Sequence, residues 1–286
     1  MAAELCLTMP SRAYWIGFPV TNDTGKIMRK LILGLAALFV ASVSINPAKA
    51  DLKDIVDKGV IRIGTQMDNP PFGYLDESGK PTGFDVELGE MIGKALGVKV
   101  QVEQIIGANR IPFLLTNKID LVISGMGATP ERAVQVMFTS PYAALYLGVY
   151  GHKAAAVSSP DQLGTLRISA TKGTTQDLTL TAMAPKANIV RFEDDTTSNT
   201  AFLSGQVDMW ATLNTIAATI AKKNPDKQIE LKFKLRDSPA HMAMRQGDYG
   251  LLRWLDTYVF LIRHNGELQR LHRKWLGEDM GSLSAM

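Results

Sequence analysis

One cysteine, Cys6, occurs in 286 residues, so the chain can build neither an internal disulfide framework nor a cysteine-rich metal site. The four histidines, His152, His241, His264 and His272, show neither HExxH nor any other metal-ligand spacing. No metal and no other cofactor is therefore expected. A GxSxG elbow, a P-loop and a GxGxxG that opens a helix are all missing, which removes common hydrolase, nucleotide and dinucleotide chemistries. Charge of one sign is also scarce. The formal net charge is +3, and residues 1–50 hold five of the 31 Lys and Arg against two of the 28 Asp and Glu. The chain beyond residue 50 is formally neutral, so nothing in it points to nucleic acid or to an acidic membrane surface.

Long apolar runs are missing too. Leu31 to Val43 is too short to span a bilayer comfortably, and it lies between Met28-Arg-Lys30 and the small-residue site Ala48-Lys-Ala50. Residues 28–50 therefore read as a secretory signal peptide cleaved after Ala50, with residues 1–27 as an upstream extension that contains Cys6. The mature chain has no cysteine to pair or to carry a lipid. It is expected to be a soluble monomer in the periplasm, and its length suits two modest domains.

The chemistry concentrates between Ile119 and Tyr142, IDLVISGMGATPERAVQVMFTSPY. Ile119 to Ser124 reads as a buried strand, and Gly125 and Gly127 end it where backbone must pass close to a ligand. Thr129 suits an N-cap, Pro130 the first helical position and Glu131 the positive helix end. Arg132 then lies in a first turn beside free N–H groups. A guanidinium fork with such donors matches a carboxylate.

Ser124-Gly-Met-Gly-Ala-Thr-Pro-Glu-Arg132, followed by Phe138-Thr-Ser-Pro-Tyr142, resembles the signature of the periplasmic amino-acid-binding proteins of ABC importers, solute-binding family 3. The resemblance covers nearly all the chain after residue 50. It implies a two-lobed α/β fold, the type II periplasmic binding protein, each lobe a mostly parallel sheet flanked by helices and joined by two crossing strands. Residues 51–144 plus 242–286 form lobe 1 and residues 145–241 lobe 2 on this reading. The implied function is capture of an amino acid or related small carboxylate in an interlobe cleft. Delivery is to an inner-membrane ABC permease with its cytoplasmic ATPase.

The resemblance also implies the ligand set. Arg132 holds the carboxylate, with Ser124, Gly125, Gly127 and Thr129 around it. Gly173-Thr174-Thr175-Gln176 approaches from the opposite side, Thr175 through its N–H and hydroxyl. The Gln66 to Phe72 loop is a pocket wall, with Asn69 where many members place a covering aromatic and Phe72 at its end.

The rest of the chain alternates strands and helices, as an α/β sheet covered on both faces requires. Leu52 to Lys58 reads as a helix, Val60 to Gly64 as a strand and the proline-rich Asn69 to Tyr74 as a loop. The helix opened by Gly83 ends at Gly97, and Val98 to Val102 is the next strand. Ala143 to Gly151 resembles the first crossing and Asp237-Ser-Pro239 the return. A weak repeat equates Lys118-Ile-Asp120 and its strand with Gln206-Val-Asp208 and the strand Met209 to Leu213. Ser124-Gly125 and Thr212-Leu213 then occupy corresponding strand ends.

One position departs from the resemblance. Five residues after Asp208 many members carry an aspartate for the ligand's ammonium, and here stands Leu213, with Asn214 next to it. Either Asp68 or carbonyls near Ser124 take the amine, or the ligand has no free α-ammonium there; the second is the expectation. The enzyme alternative is a cyclohexadienyl-dehydratase-like periplasmic protein, which needs a carboxylic acid in the cleft. Leu213 removes one such acid, and the sequence reads as a binding protein, not an enzyme.

Overall fold

The computed structural model describes residues 52–281. The extension, the signal peptide and its cleavage site lie outside them. Helix α1 (Leu52–Lys58) leads into β1 (Val60–Gln66), and β2 (Asp68–Asn69), β3 (Gly73–Leu75) and β4 (Pro81–Thr82) form a small antiparallel sheet. The stretch expected as plain loop at 69–74 is thus a hairpin. Its prolines, Pro70 and Pro71, sit between the strands, where no ladder N–H is needed. Asp76 closes the next turn by accepting from the N–H groups of Ser78 and Lys80, each at 2.9 Å.

Helix α2 (Phe84–Leu96) has acidic residues in its first turn and ends at Gly97, whose left-handed backbone (φ 71°) returns its N–H to Gly93 and Lys94. Phe84, Leu88 and Ile92 recur every fourth residue and are fully buried, each contributing about 1.5–3 kcal/mol of burial. The chain continues through β5 (Lys99–Ile105), α3 (Arg110–Leu115), β6 (Leu121–Val122), α4 (Pro130–Ala133) and β7 (Val136–Phe138). The strand expected from Ile119 to Ser124 is shorter, although the Ile123 N–H still bonds Gly64 O at 3.0 Å.

A second α/β set comes next: β8 (Tyr146–His152), β9 (Arg167–Thr171), α5 (Thr175–Met183), β10 (Asn188–Phe192), α6 (Asp195–Leu203), β11 (Met209–Leu213), α7 (Asn214–Lys223) and β12 (Ile229–Asp237). Then β13 (Ala243–Arg245) rejoins the first sheet, and α8 (Tyr249–His264) and α9 (Glu267–Leu276) finish the described chain. On α8, Leu251, Leu255, Val259 and Ile262 fall at helical spacing and are buried.

The two large sheets share one plan. The first runs β5-β1-β6-β13-β7 and the second β10-β9-β11-β8-β12. In each, three neighbouring strands pair in parallel, the fourth is antiparallel and the fifth returns to the common direction. We call the part built on each sheet a lobe. Two segments cross between them side by side: Tyr142 N–H bonds Ala240 O, Ala240 N–H bonds Ala143 O and Ser238 N–H bonds Leu145 O, at 2.8–2.9 Å. The carboxyl ends of β1, β6, β9 and β11 therefore meet at one cleft. Among the described residues no helix is long and apolar enough to cross a membrane.

Candidate functional site

Arg132 is 5% exposed and reaches across the cleft. Its Nη1 donates to Gly127 O at 2.7 Å and to Thr175 Oγ1 at 2.8 Å, and its Nη2 donates to Gly173 O at 3.0 Å. Thr129 caps α4 by accepting from the Arg132 N–H at 3.3 Å. The helix is a single turn, so the electrostatic help expected from its terminus is minor; a macrodipole needs aligned turns. The positive potential comes from guanidinium groups instead. Burial lowers the Arg132 pKa to about 9, and Arg110 and Arg236 add to the lowering by repulsion. It remains a cation at neutral pH.

Ser124 and Gly125 follow the end of β6. Gly125 has φ 55°, a conformation open to glycine, and its N–H donates to the Tyr142 hydroxyl at 3.0 Å. Tyr142 in turn donates to Asp85 Oδ1 at 2.9 Å. Asp85 is fully buried, and desolvation pushes its pKa up to about 7. The lobes approach so closely that a Cβ on Gly107 would lie 2.9 Å from Lys172 O and 2.9 Å from a Thr174 methyl. Thr174 caps α5 by accepting from the Asp177 N–H at 3.4 Å.

A cavity between the sheets is lined by Asn69, Ser124, Gly125, Thr174, Thr175, Gln176 and Leu213 among the residues expected from sequence. Ser124 Oγ and Asn69 Oδ1 are buried there with no hydrogen-bond partner. Other expected residues fall elsewhere. Phe72 packs in the core, edge-on to Phe84 at 6.0 Å, because a ring at the hairpin's base is better buried than left in a polar cleft. Asn214 opens α7 and accepts from the Tyr146 N–H at 3.1 Å, away from the cavity lining. Asp68 uses Oδ2 to accept from the Asp195 N–H at 2.6 Å, and its Oδ1 is buried without a partner.

Sequence reasoning missed two charged residues in the same lining, Arg110 and Asp195, each 4% exposed. Arg110 donates from Nε to Gly107 O at 3.1 Å and from Nη1 to Ser124 O at 3.5 Å, while its Nη2 has no partner. Asp195 accepts from Gln66 Nε2 at 3.0 Å and from the Thr171 hydroxyl. Burial, then the charge of Asp68, raises the Asp195 pKa to about 6. Among the described residues neither Arg132, Arg110, Asp195 nor Asp68 belongs to an ion pair. Unpaired buried charge is costly, and a ligand of complementary charge would relieve that cost. The available signal was the repeat: α3 and α6 precede equivalent strands, and each opens on a charged residue.

The family model of the bacterial extracellular solute-binding proteins, family 3, matches residues 61–278. The ABC transporter glutamine-binding protein of Bacillus subtilis is 29% identical over 81% of this chain and 86% of its own. Cyclohexadienyl dehydratase of Pseudomonas aeruginosa is 25% identical over 88% of this chain and 96% of its own. Among solved structures, the solute receptor for L-cysteine of Neisseria gonorrhoeae is 33% identical, superposes with a TM-score of 0.75 and covers 79% of this chain and 94% of that one.

Proposed function

The chain belongs to the bacterial extracellular solute-binding proteins, family 3, and on that premise we propose that it captures a small carboxylate, an amino acid or close derivative, between its lobes. It delivers this cargo to an inner-membrane ABC permease driven by a cytoplasmic ATPase. One observation carries the reading: Arg132 is buried in the cleft without an acidic partner and donates to residues of both lobes. A ligand carboxylate there completes the cation's pairing and adds contacts to Thr175 and the Gly125 to Gly127 backbone. Contacts to both lobes favour the closed arrangement, which a permease can distinguish from the open one.

The protein is exported by the signal at 28–50, cut after Ala50, and acts as a periplasmic monomer. It binds its ligand without turning it over. A thermal-shift screen across amino acids, opines, short carboxylates and betaines tests the reading. Carboxylate-bearing ligands are expected to raise the melting temperature of the wild type and not of Arg132→Ala. Stabilisation by betaines and carboxylates that persists in Arg132→Ala would contradict it. Incubation with prephenate or arogenate is expected to give no product; turnover would make the protein an enzyme.

A further inference from the structure

Recognition of a carboxylate at Arg132 leaves a second charge in this cleft unexplained, because the buried carboxylate of Asp195 lines the cavity together with Arg110, and Asp68 holds the Asp195 backbone N–H from beside it. We infer that the ligand carries an ammonium and that Asp195 receives it, with Asp68 and Asn69 in support. On this reading the cation is recognised at the first turn of α6 and not at the end of β11. The inference rests on the carboxylate reading of Arg132 and reverses the expectation drawn from Leu213.

Asp195 lines the same cavity as Leu213 and belongs to the same lobe. Its oxygens accept from a neutral amide, Gln66, and a hydroxyl, Thr171. A carboxylate offers about four lone-pair sites, so both oxygens retain capacity for another donor. Neither neutral partner cancels the charge. Two neighbouring groups also lack a donor. Asn69 is 4% exposed, lines the cavity, and its Oδ1 has no partner. Asp68 Oδ1 is likewise buried and unpartnered, while Asp68 Oδ2 holds the Asp195 backbone N–H.

Arg110 does not meet this need. It lines the cavity too, yet it bonds backbone carbonyls of Gly107 and Ser124 and comes no nearer to Asp195 than a long-range attraction. Arginines without an acidic partner and a cavity carboxylate without a basic one fit a small zwitterion that spans them. A plain carboxylate would satisfy the arginines and leave Asp195 buried alone. Because Asp68 lies in the first lobe and Asp195 in the second, an ammonium held by both also draws the lobes together.

The test uses the mature protein and pairs of probes: each standard L-amino acid and L-cystine beside the carboxylic acid with the same side chain and no amine. The pair giving the largest thermal shift is taken to calorimetric titration with wild type, Asp195→Asn, Asp68→Asn and Arg132→Ala. Asp195→Asn keeps the shape and removes the charge; a circular dichroism melt verifies folding, and Asp68→Asn carries the test if that variant does not fold. The wild type is expected to favour the amino acid over its deaminated partner by about tenfold or more. The ratio is expected to fall by at least that factor in Asp195→Asn, whereas Arg132→Ala weakens both probes. An unchanged ratio in Asp195→Asn, or a wild type that prefers deaminated acids, would overturn the inference and leave the carboxylate reading standing. A wild type that binds neither probe of any pair would overturn both.

Discussion

In the first lobe the helix before the third parallel strand, α3, begins with Arg110; in the second lobe its counterpart, α6, begins with Asp195. Both are buried and line one cavity, at the same station of the same sheet plan with opposite charge. The strand ends differ as well. The first lobe presents Ser124 and Gly125, a hydroxyl and close-approaching backbone, where the second presents the aliphatic Leu213. A repeated scaffold thus fixes which positions border the cavity and leaves the choice of charge to each lobe. Here the first lobe supplies both arginines, and the second supplies the carboxylate at the helix start.

The largest effect should come from emptying the first lobe's side of this comparison. Arg132→Ala removes charge-assisted hydrogen bonds of about 1.5–3 kcal/mol each, so calorimetric titration should show affinity for the best ligand falling roughly a hundredfold. The melting curve without ligand should stay that of a folded protein, since the side chain belongs to the cleft.

Next is Asp85, which sits beneath the first lobe's strand end with no analogue assigned in the second. Its pKa is about 7 in the fold because it is buried, against about 3.9 unfolded. The folded protein therefore keeps a proton that the unfolded chain releases. Its contribution to stability is fully present below about pH 4 and is lost as pH rises to about 7. The loss has an upper limit of roughly 4 kcal/mol. Urea melts from pH 4 to pH 8 should show this decline in the wild type and a shallower one in Asp85→Asn, where Asp195 still titrates in the same direction. Equal slopes would show that Asp85 does not govern the decline.

A smaller effect separates closure from recognition. Gly107→Ala places a methyl against backbone of the other lobe, an overpacking of about 1–3 kcal/mol that acts in the closed form alone. Ligand affinity should drop about tenfold while the unliganded melt is unchanged. The smallest effect expected is that of Leu213→Asp. If Asp195 receives the amine, a second carboxylate in the cavity gives amino acids no gain, and a clear gain on titration would return ammonium recognition to the strand end.

Much of this is legible in the sequence. The helix ending at Gly97, the cap at Thr129, the cleft position of Arg132 and the pairing of the Ser124 and Leu213 strand ends come from periodicity, turn chemistry and resemblance. The rest depends on tertiary closure. Phe72 and Asn69 are three residues apart in one hairpin, and the fold alone decides that the ring enters the core and the amide the cavity. Arg110 and Asp195 look like ordinary charged helix starts, where solvent exposure is the usual outcome. Arg110 is buried where two distant loops, around Gly107 and Gly173, meet, and Asp195 where Gln66, Thr171 and Asp68 pack against it.

The central claim is that this cleft holds a carboxylate on the first lobe's Arg132. A crystal structure with the tightest-binding amino acid of the panel tests it most directly. Carboxylate oxygens are expected within hydrogen-bond distance of the Arg132 guanidinium and of Thr175, with the ligand nitrogen at Asp195. A ligand whose carboxylate lies away from Arg132 would contradict it.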